Sequence, residues 1–157
     1  MASIKEQLEA KRRRTASVLI PVEDARREAS EMERAKGRLA LALAEESQGD
    51  TSELEAELEA AVSAWQAKHA EVVFQALGSD VYEGLLAPHY GAGGDLDPVA
   101  ATPVLAAACA VDEDLQDIDW WIAQVASDRW SRGERADLFT ALLQLNVDGL
   151  YRSVPKG

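Results

Sequence analysis

"TSELEAELEAAVSAWQAKHAEVVFQALG", residues 51–78, is the stretch on which the fold turns. Leu54, Leu58, Ala61, Trp65 and Val72 follow at spacings of four, three, four and seven, the rhythm of a coiled-coil seam about three heptads long. Ser52 and Glu55 have the separation of a capping box. Glu53, Glu55, Glu57 and Glu59 crowd what would be the positive end of the helix dipole. The spacing predicts one continuous helix from Ser52 to about residue 76.

Toward the N-terminus, "VEDARREASEMERAKGRLALALAEESQ", residues 22–48, repeats the helical period. Met32, Ala35, Leu39, Ala42 and Glu46 trace one side, with Leu43 close by. Gly37 costs such a helix about 1 kcal/mol relative to alanine, too little to end it. Gly49 fits a C-terminal cap. Residues 22–76 are therefore expected to form a long, acidic, antiparallel helical hairpin. Residues 1–21 precede it as a basic segment. A short amphipathic helix through Ile4, Leu8 and Lys11 gives way to "TASVLIP", where Val18, Leu19 and Ile20 read as extended because proline pushes the residue before it out of the α region.

Toward the C-terminus, residues 77–157 read as a small helical bundle. "SDVYEGLLAPH" is a short helix facing inward through Val81, Leu85 and Leu86. "GAGGDLDP" is a connection and not a phosphate cradle, since no strand precedes it and no P-loop lysine follows. "PVLAAACAV", from Pro103, is a packed helix with proline in its first turn. Ile118, Trp121, Ile122 and Val125 make the inward face of the next. In "WSRGERADLFTALLQLN", residues 130–146, Ser131 and Glu134 form a capping box ahead of the stripe Leu138, Leu142 and Leu145. The fold class predicted is all-α, a hairpin plus a small C-terminal bundle, with at most one short extended segment at residues 15–20.

The chain has 157 residues, 47% of them hydrophobic, enough for one modest domain or a small domain with an extension. Its net charge of −12 is unevenly spread. Residues 1–38 carry ten Lys/Arg against seven acids, residues 39–128 eighteen acids against Lys68 alone, and residues 129–157 five bases against three acids. Such a middle repels phosphate backbones, so nucleic acid is not an expected partner. "KRRR", Lys11 to Arg14, suits an anionic partner or, more plainly, a solvated helix surface. Nothing approaches the roughly 20 apolar residues of a membrane span, and the start lacks the apolar stretch of a signal peptide. A soluble protein of the cytoplasm, with no membrane association, is expected.

Chemistry is sparse. The one cysteine, Cys109, lies in an apolar run with neither histidine near it in sequence. His69 and His89 stand apart from any catalytic motif. The acids of "DEDLQDIDWW" fail as a calcium loop, since counting from Asp112 places Asp117 where glycine is needed and Ala123 where glutamate is needed. They fit better as complements to a helix dipole. No catalytic residue, cofactor or metal site is expected, and the chain is not read as an enzyme. Partner contact is the remaining role, and its candidates are Trp120, Trp130 and Arg132. Trp120 sits about 100° around the helix from Trp121, so the two cannot be equally buried unless something covers Trp120.

"VVFQALGSDVYEGLLAPH", a glycine-rich loop, "ATPVLAAACAVDEDL" and "WSRGERADLFTALLQLN" follow "KRRRTASVLIPV" and an acidic hairpin. This arrangement resembles the tail assembly chaperones of long-tailed phages and prophages of actinobacteria. The resemblance covers most of the chain, is clearest at 72–90, 102–115 and 130–146, and consists of helix-packing patterns with no catalytic signature. It implies a non-enzymatic protein that binds the tape-measure protein and helps tail-tube protein assemble around it, in the cytoplasm of the bacterial host and not in the mature virion. An acidic surface with an opposite-signed N-terminus also permits homo-oligomers built head to tail. The competing readings are a structural virion protein, such as a head–tail connector or minor tail component, and a coiled-coil adaptor. The resemblance further implies a longer, frameshifted product, for which Val154-Pro155-Lys156 offers permissive codons.

Overall fold

The computed structural model describes residues 1–45 and 49–149, so Val154, Pro155 and Lys156 lie outside the described residues. Described are helices α1 (Ile4–Glu9), α2 (Arg26–Ala44), α3 (Ser52–Gln66), α4 (Ser79–Leu86), α5 (Pro98–Cys109), α6 (Ile118–Ala126) and α7 (Arg132–Val147). Strands β1 (Thr15–Pro21) and β2 (His69–Gln75) pair in a two-stranded antiparallel sheet. The architecture is thus mixed α/β, and the all-α expectation is corrected.

The correction comes from residues 69–75. α3 stops at Gln66, where the Lys68 N–H turns back to the Trp65 carbonyl. Beyond it the period changes from the helical repeat to two: Val72 and Phe74 are buried, Glu71 and Val73 exposed. Val72 falls on the extrapolated seam, but it belongs to the strand. Exposed Val73 hides the alternation, because it makes "VVF" look uniformly apolar. β1 supplies the partner edge. The Ala76 N–H donates to the Arg14 carbonyl at 2.8 Å and the Val22 N–H to the Lys68 carbonyl at 2.9 Å, a register that sets Val18 opposite Val72.

The chain divides into two compact units, Met1–Val18 with everything from Val72, and Leu19–Glu71; the cuts fall inside the two strands. The sequence reading places its boundaries after residues 21 and 76.

The smaller unit is the helical hairpin. Among the described residues only Ala35 is buried in it; Met32, Leu39, Ala42, Leu54, Leu58, Ala61 and Trp65 are half-buried, and Glu46, read onto the same face, lies outside the described residues. Arg38 reaches across to Glu57 at 3.3 Å, and Lys68 ties the open end to Glu23 at 2.8 Å. Its helix ends differ from those expected. α2 begins at Arg26, whose N–H and guanidinium both bond to Asp24, and its C-cap is Glu45 instead of Gly49. The Ser52–Glu55 box does not form, because the Ser52 hydroxyl turns to Asp50 and Glu55 accepts from Thr51.

The larger unit is organised around α5. This helix is apolar on every side and buries Ala101, Thr102, Pro103, Leu105, Ala106, Ala107 and Cys109, as a central helix must. It starts a turn and a half before Pro103, at Pro98, capped by the Asp97 carboxylate accepting from the Val99 N–H. α6 and α7 pack against it. The Ser131–Glu134 box forms as expected, and Leu138, Leu142 and Leu145 are buried. Two polar ties close the unit. The Asn146 side chain accepts from the Leu77 N–H at 2.8 Å while donating to the Leu142 carbonyl. The Arg14 guanidinium donates to the Leu145 and Asp148 carbonyls, capping α7 from the other end of the sequence.

Candidate functional site

A groove of about 850 Å³ lies on the larger unit, where α5 forms one wall and α6 and α7 the others. Pro98, Val99 and Val104 of α5, Ile122 of α6 and Phe139 of α7 provide its apolar surface. Val99 is 75% exposed and Ile122 49% exposed, so the groove offers water side chains of the kind that fill the core. Ile122 was expected to face inward. α6 turns only Trp121 and Val125 fully into the core, leaving Ile118 and Ile122 at its flank.

The prolines shape the α5 wall. Pro103 has no N–H, so the Val99 carbonyl four residues earlier lacks its intrahelical donor. Thr102 loses its polarity by donating its hydroxyl to the Pro98 carbonyl at 2.6 Å. The result is an apolar wall with one backbone acceptor freed.

Charge is supplied from one side only. The lining contains Arg132, Arg135 and His89 and no acid. Arg132 and Arg135 are one turn apart on α7, and neither makes a salt bridge among the described residues. The Arg135 Nε is enclosed and has no hydrogen-bond partner. Glu134, the acid between them, is held by the Ser131 cap. A strongly acidic chain therefore carries a cationic, apolar groove.

Of the three residues singled out from sequence, Arg132 lines the groove. Trp120 is 42% exposed and stands outside the lining, its ring edge-on to Trp121 at 5.0 Å. Trp130 is buried and belongs to the core. Trp121 is anchored by its indole N–H donating to the Leu115 carbonyl at 2.7 Å. Arg135, Val99, Ile122 and Phe139 went unrecognised. Arg132 and Arg135 share a helical face at i, i+3, which was a readable signal; the approach of α5 was not.

Cys109 is buried, and that burial pushes its thiol pKa up, against nucleophilic use. His69 lies against Trp65 with ring centroids 4.3 Å apart and the rings tilted by 44°. Among the described residues no three His, Cys, Asp or Glu side chains come together to hold a metal ion. No helix among them is long and apolar enough to cross a membrane. Comparison with protein families, with curated proteins and with solved structures finds no match.

Proposed function

We propose that this chain is a non-enzymatic assembly chaperone of the phage-tail type, which holds helical segments of a tape-measure protein while tail-tube protein assembles around it in the host cytoplasm. The groove carries this reading. An open apolar channel between helices, with cations on one side, suits the helix-in-groove mode of recognition. Its occupant is an amphipathic helix, with aliphatic residues toward Val99, Ile122 and Phe139 and carboxylates toward Arg132 and Arg135. The acidic remainder of the surface keeps the complex dispersed.

Co-expression with a phage tape-measure protein from the same genome, if the gene neighbourhood encodes one, tests the proposal. The wild-type chain should keep that protein in the soluble fraction and co-purify with it. Val99→Asp and Ile122→Asp, at exposed positions that tolerate charge, should abolish both effects without lowering the melting temperature. Retention of the client by both variants would refute the groove as its site. Mass spectrometry of finished particles supplies the second arm: the chain should be missing from them, and its presence would favour a structural virion protein.

A further inference from the structure

We infer that the groove also binds helix α1 of a second copy of this chain, so that the protein associates head to tail until a client displaces the arm. The inference rests on the reading of the groove as a helix-binding site.

α1 is a helix with nothing to pack on. Every residue from Met1 to Arg14 is exposed, and Ile4 and Leu8, one turn apart on the same face, are 77% and 64% exposed. Yet its start is fully specified: the Ser3 hydroxyl accepts from the Glu6 N–H while the Glu6 carboxylate accepts from the Ser3 N–H. Six helical residues cannot sustain themselves in water, since nucleation outweighs so few hydrogen bonds. A capped, amphipathic, unpartnered turn and a half of helix is a ligand awaiting a surface.

The groove matches it in polarity and charge. It is apolar where Ile4 and Leu8 are apolar, and its only charged lining is cationic. Glu6 is committed to the cap, so Glu9, held only by a long, fully exposed pair to Lys5 at 3.9 Å, is the carboxylate that turns to Arg132 and Arg135. The residues that follow carry the opposite sign. Lys11 and Arg12 would leave the groove toward the second copy, whose residues 39–128 carry eighteen acids and one base, while Arg13 stays bonded to Gln75 of its own chain. Arg14 remains with its own chain, holding the end of α7. Because α1 is exposed within its own chain, its apolar pair is met by another chain. The contact is heterologous, with a different patch on each partner, so it propagates into a series of species and is not limited to a dimer.

Sedimentation velocity over a concentration series tests this, alongside fluorescence anisotropy of a labelled synthetic peptide of residues 1–13. The full chain should self-associate with a dissociation constant of order 100 µM, as befits two aliphatic anchors and one ion pair. Leu8→Asp damages only the arm and Ile122→Asp only the groove, so each variant alone should be monomeric. Mixed together they should form a heterodimer and stop there, because one intact arm and one intact groove remain. Arg135→Glu should weaken the labelled peptide at least tenfold, and Glu9→Arg in the peptide should restore it. Self-association that survives Leu8→Asp, or a mixture that stays monomeric, overturns the inference. So does an arm that binds only its own groove, seen as a monomer whose Ile122 environment changes when residues 2–10 are deleted. A chain that retains its client but never self-associates overturns this inference alone. Loss of client retention as the only failure would count against the chaperone reading alone.

Discussion

In the larger unit every helix but α1 is anchored by buried side chains, and Phe74, Leu105, Trp121 and Leu142 have almost no water contact. In the hairpin, two helices of comparable length bury Ala35 alone, and their contact face is otherwise half-exposed. The two also differ in their polar ties. The larger unit uses part-buried hydrogen bonds, such as those of the Asn146 amide and the Trp121 indole, whereas the hairpin relies on ion pairs, exposed between Arg38 and Glu57 and half-buried where Lys68 meets Glu23 and Glu28. Surface pairs contribute between nothing and about 1 kcal/mol each, while leaving an enclosed donor unpaired costs about 1–3 kcal/mol. The larger unit is thus built to hold a groove in fixed shape. The hairpin is built to open at low cost.

Substituting tryptophan tests the comparison most severely. Trp121→Ala should cost about 3–5 kcal/mol, through a cavity beside Phe74 and loss of the bond to the Leu115 carbonyl. Trp65→Ala in the hairpin, where the ring is half-buried against His69, should cost roughly 1–2 kcal/mol. Urea unfolding of both variants measures the difference. Equal losses would show that the hairpin shares in a common core.

The next effect is polar. Asn146→Leu strands the Leu77 N–H and breaks the tie to α7, and should cost about 1–3 kcal/mol at unchanged helix content. Its counterpart in the hairpin, Arg38→Ala, should cost no more than about 0.5 kcal/mol. A large loss from Arg38→Ala would mean that the pair is better shielded than its exposure suggests.

Legibility in the sequence follows the same division. The start and the buried stripe of α7 could be read, because both lie within one local stretch; its end is held by Arg14 and could not. The hairpin seam could be read as well, from Leu54 to Trp65. What failed was the point where local pattern yields to a distant partner. "HAEVVFQ" is a strand because "TASVLIP", some fifty residues away, offers it an edge, and Phe74 is drawn in against Ala110. The extended reading of residues 15–20 was available from Pro21, but a lone strand has no meaning without its mate. Arg14 likewise read as surface charge, since the α7 carbonyls that it caps lie over 130 residues further on. The groove was half-legible: Arg132 stood out, but its walls come from three helices whose approach no periodicity records.

Gly37 offers a smaller test, with the opposite sign. It lies inside α2, and an added Cβ would meet nothing within 4 Å. Gly37→Ala should therefore stabilise the hairpin by about 0.5–1 kcal/mol, through reduced backbone freedom in the unfolded chain. Hydrogen exchange localises the gain. Amides of α2 and α3 should slow severalfold while those of α5 and α7 stay unchanged, if the hairpin opens separately. Uniform slowing across both units would show a single cooperative opening and collapse the distinction.

The weakest expected effect is the dependence of the hairpin's open end on pH. The Lys68 ammonium donates to Glu23 and holds its carboxyl pKa below the ordinary 4.5, while Glu23 in turn raises the Lys68 pKa above 10.5. A depressed carboxylate contributes stability that is fully present above its unfolded pKa and is lost as pH falls through the folded one. A raised ammonium contributes stability that is fully present below its unfolded pKa and is lost as pH rises through the folded one. The tie is therefore intact between these limits and fails on both sides. Asp24 is held at about 2, chiefly by its hydrogen bonds from Arg26, so its share is lost only as pH falls through that value. Exchange of the Val22 and Glu23 amides, both bonded to the Lys68 carbonyl, follows the opening directly. Corrected for its intrinsic pH dependence, that exchange should quicken below the Glu23 transition in the wild-type chain. Glu23→Gln should remove the acid-side step and leave the Asp24 step in place. An acid-side step that persists in Glu23→Gln would assign the pH dependence to another carboxylate and deny this pair its part in closing the hairpin.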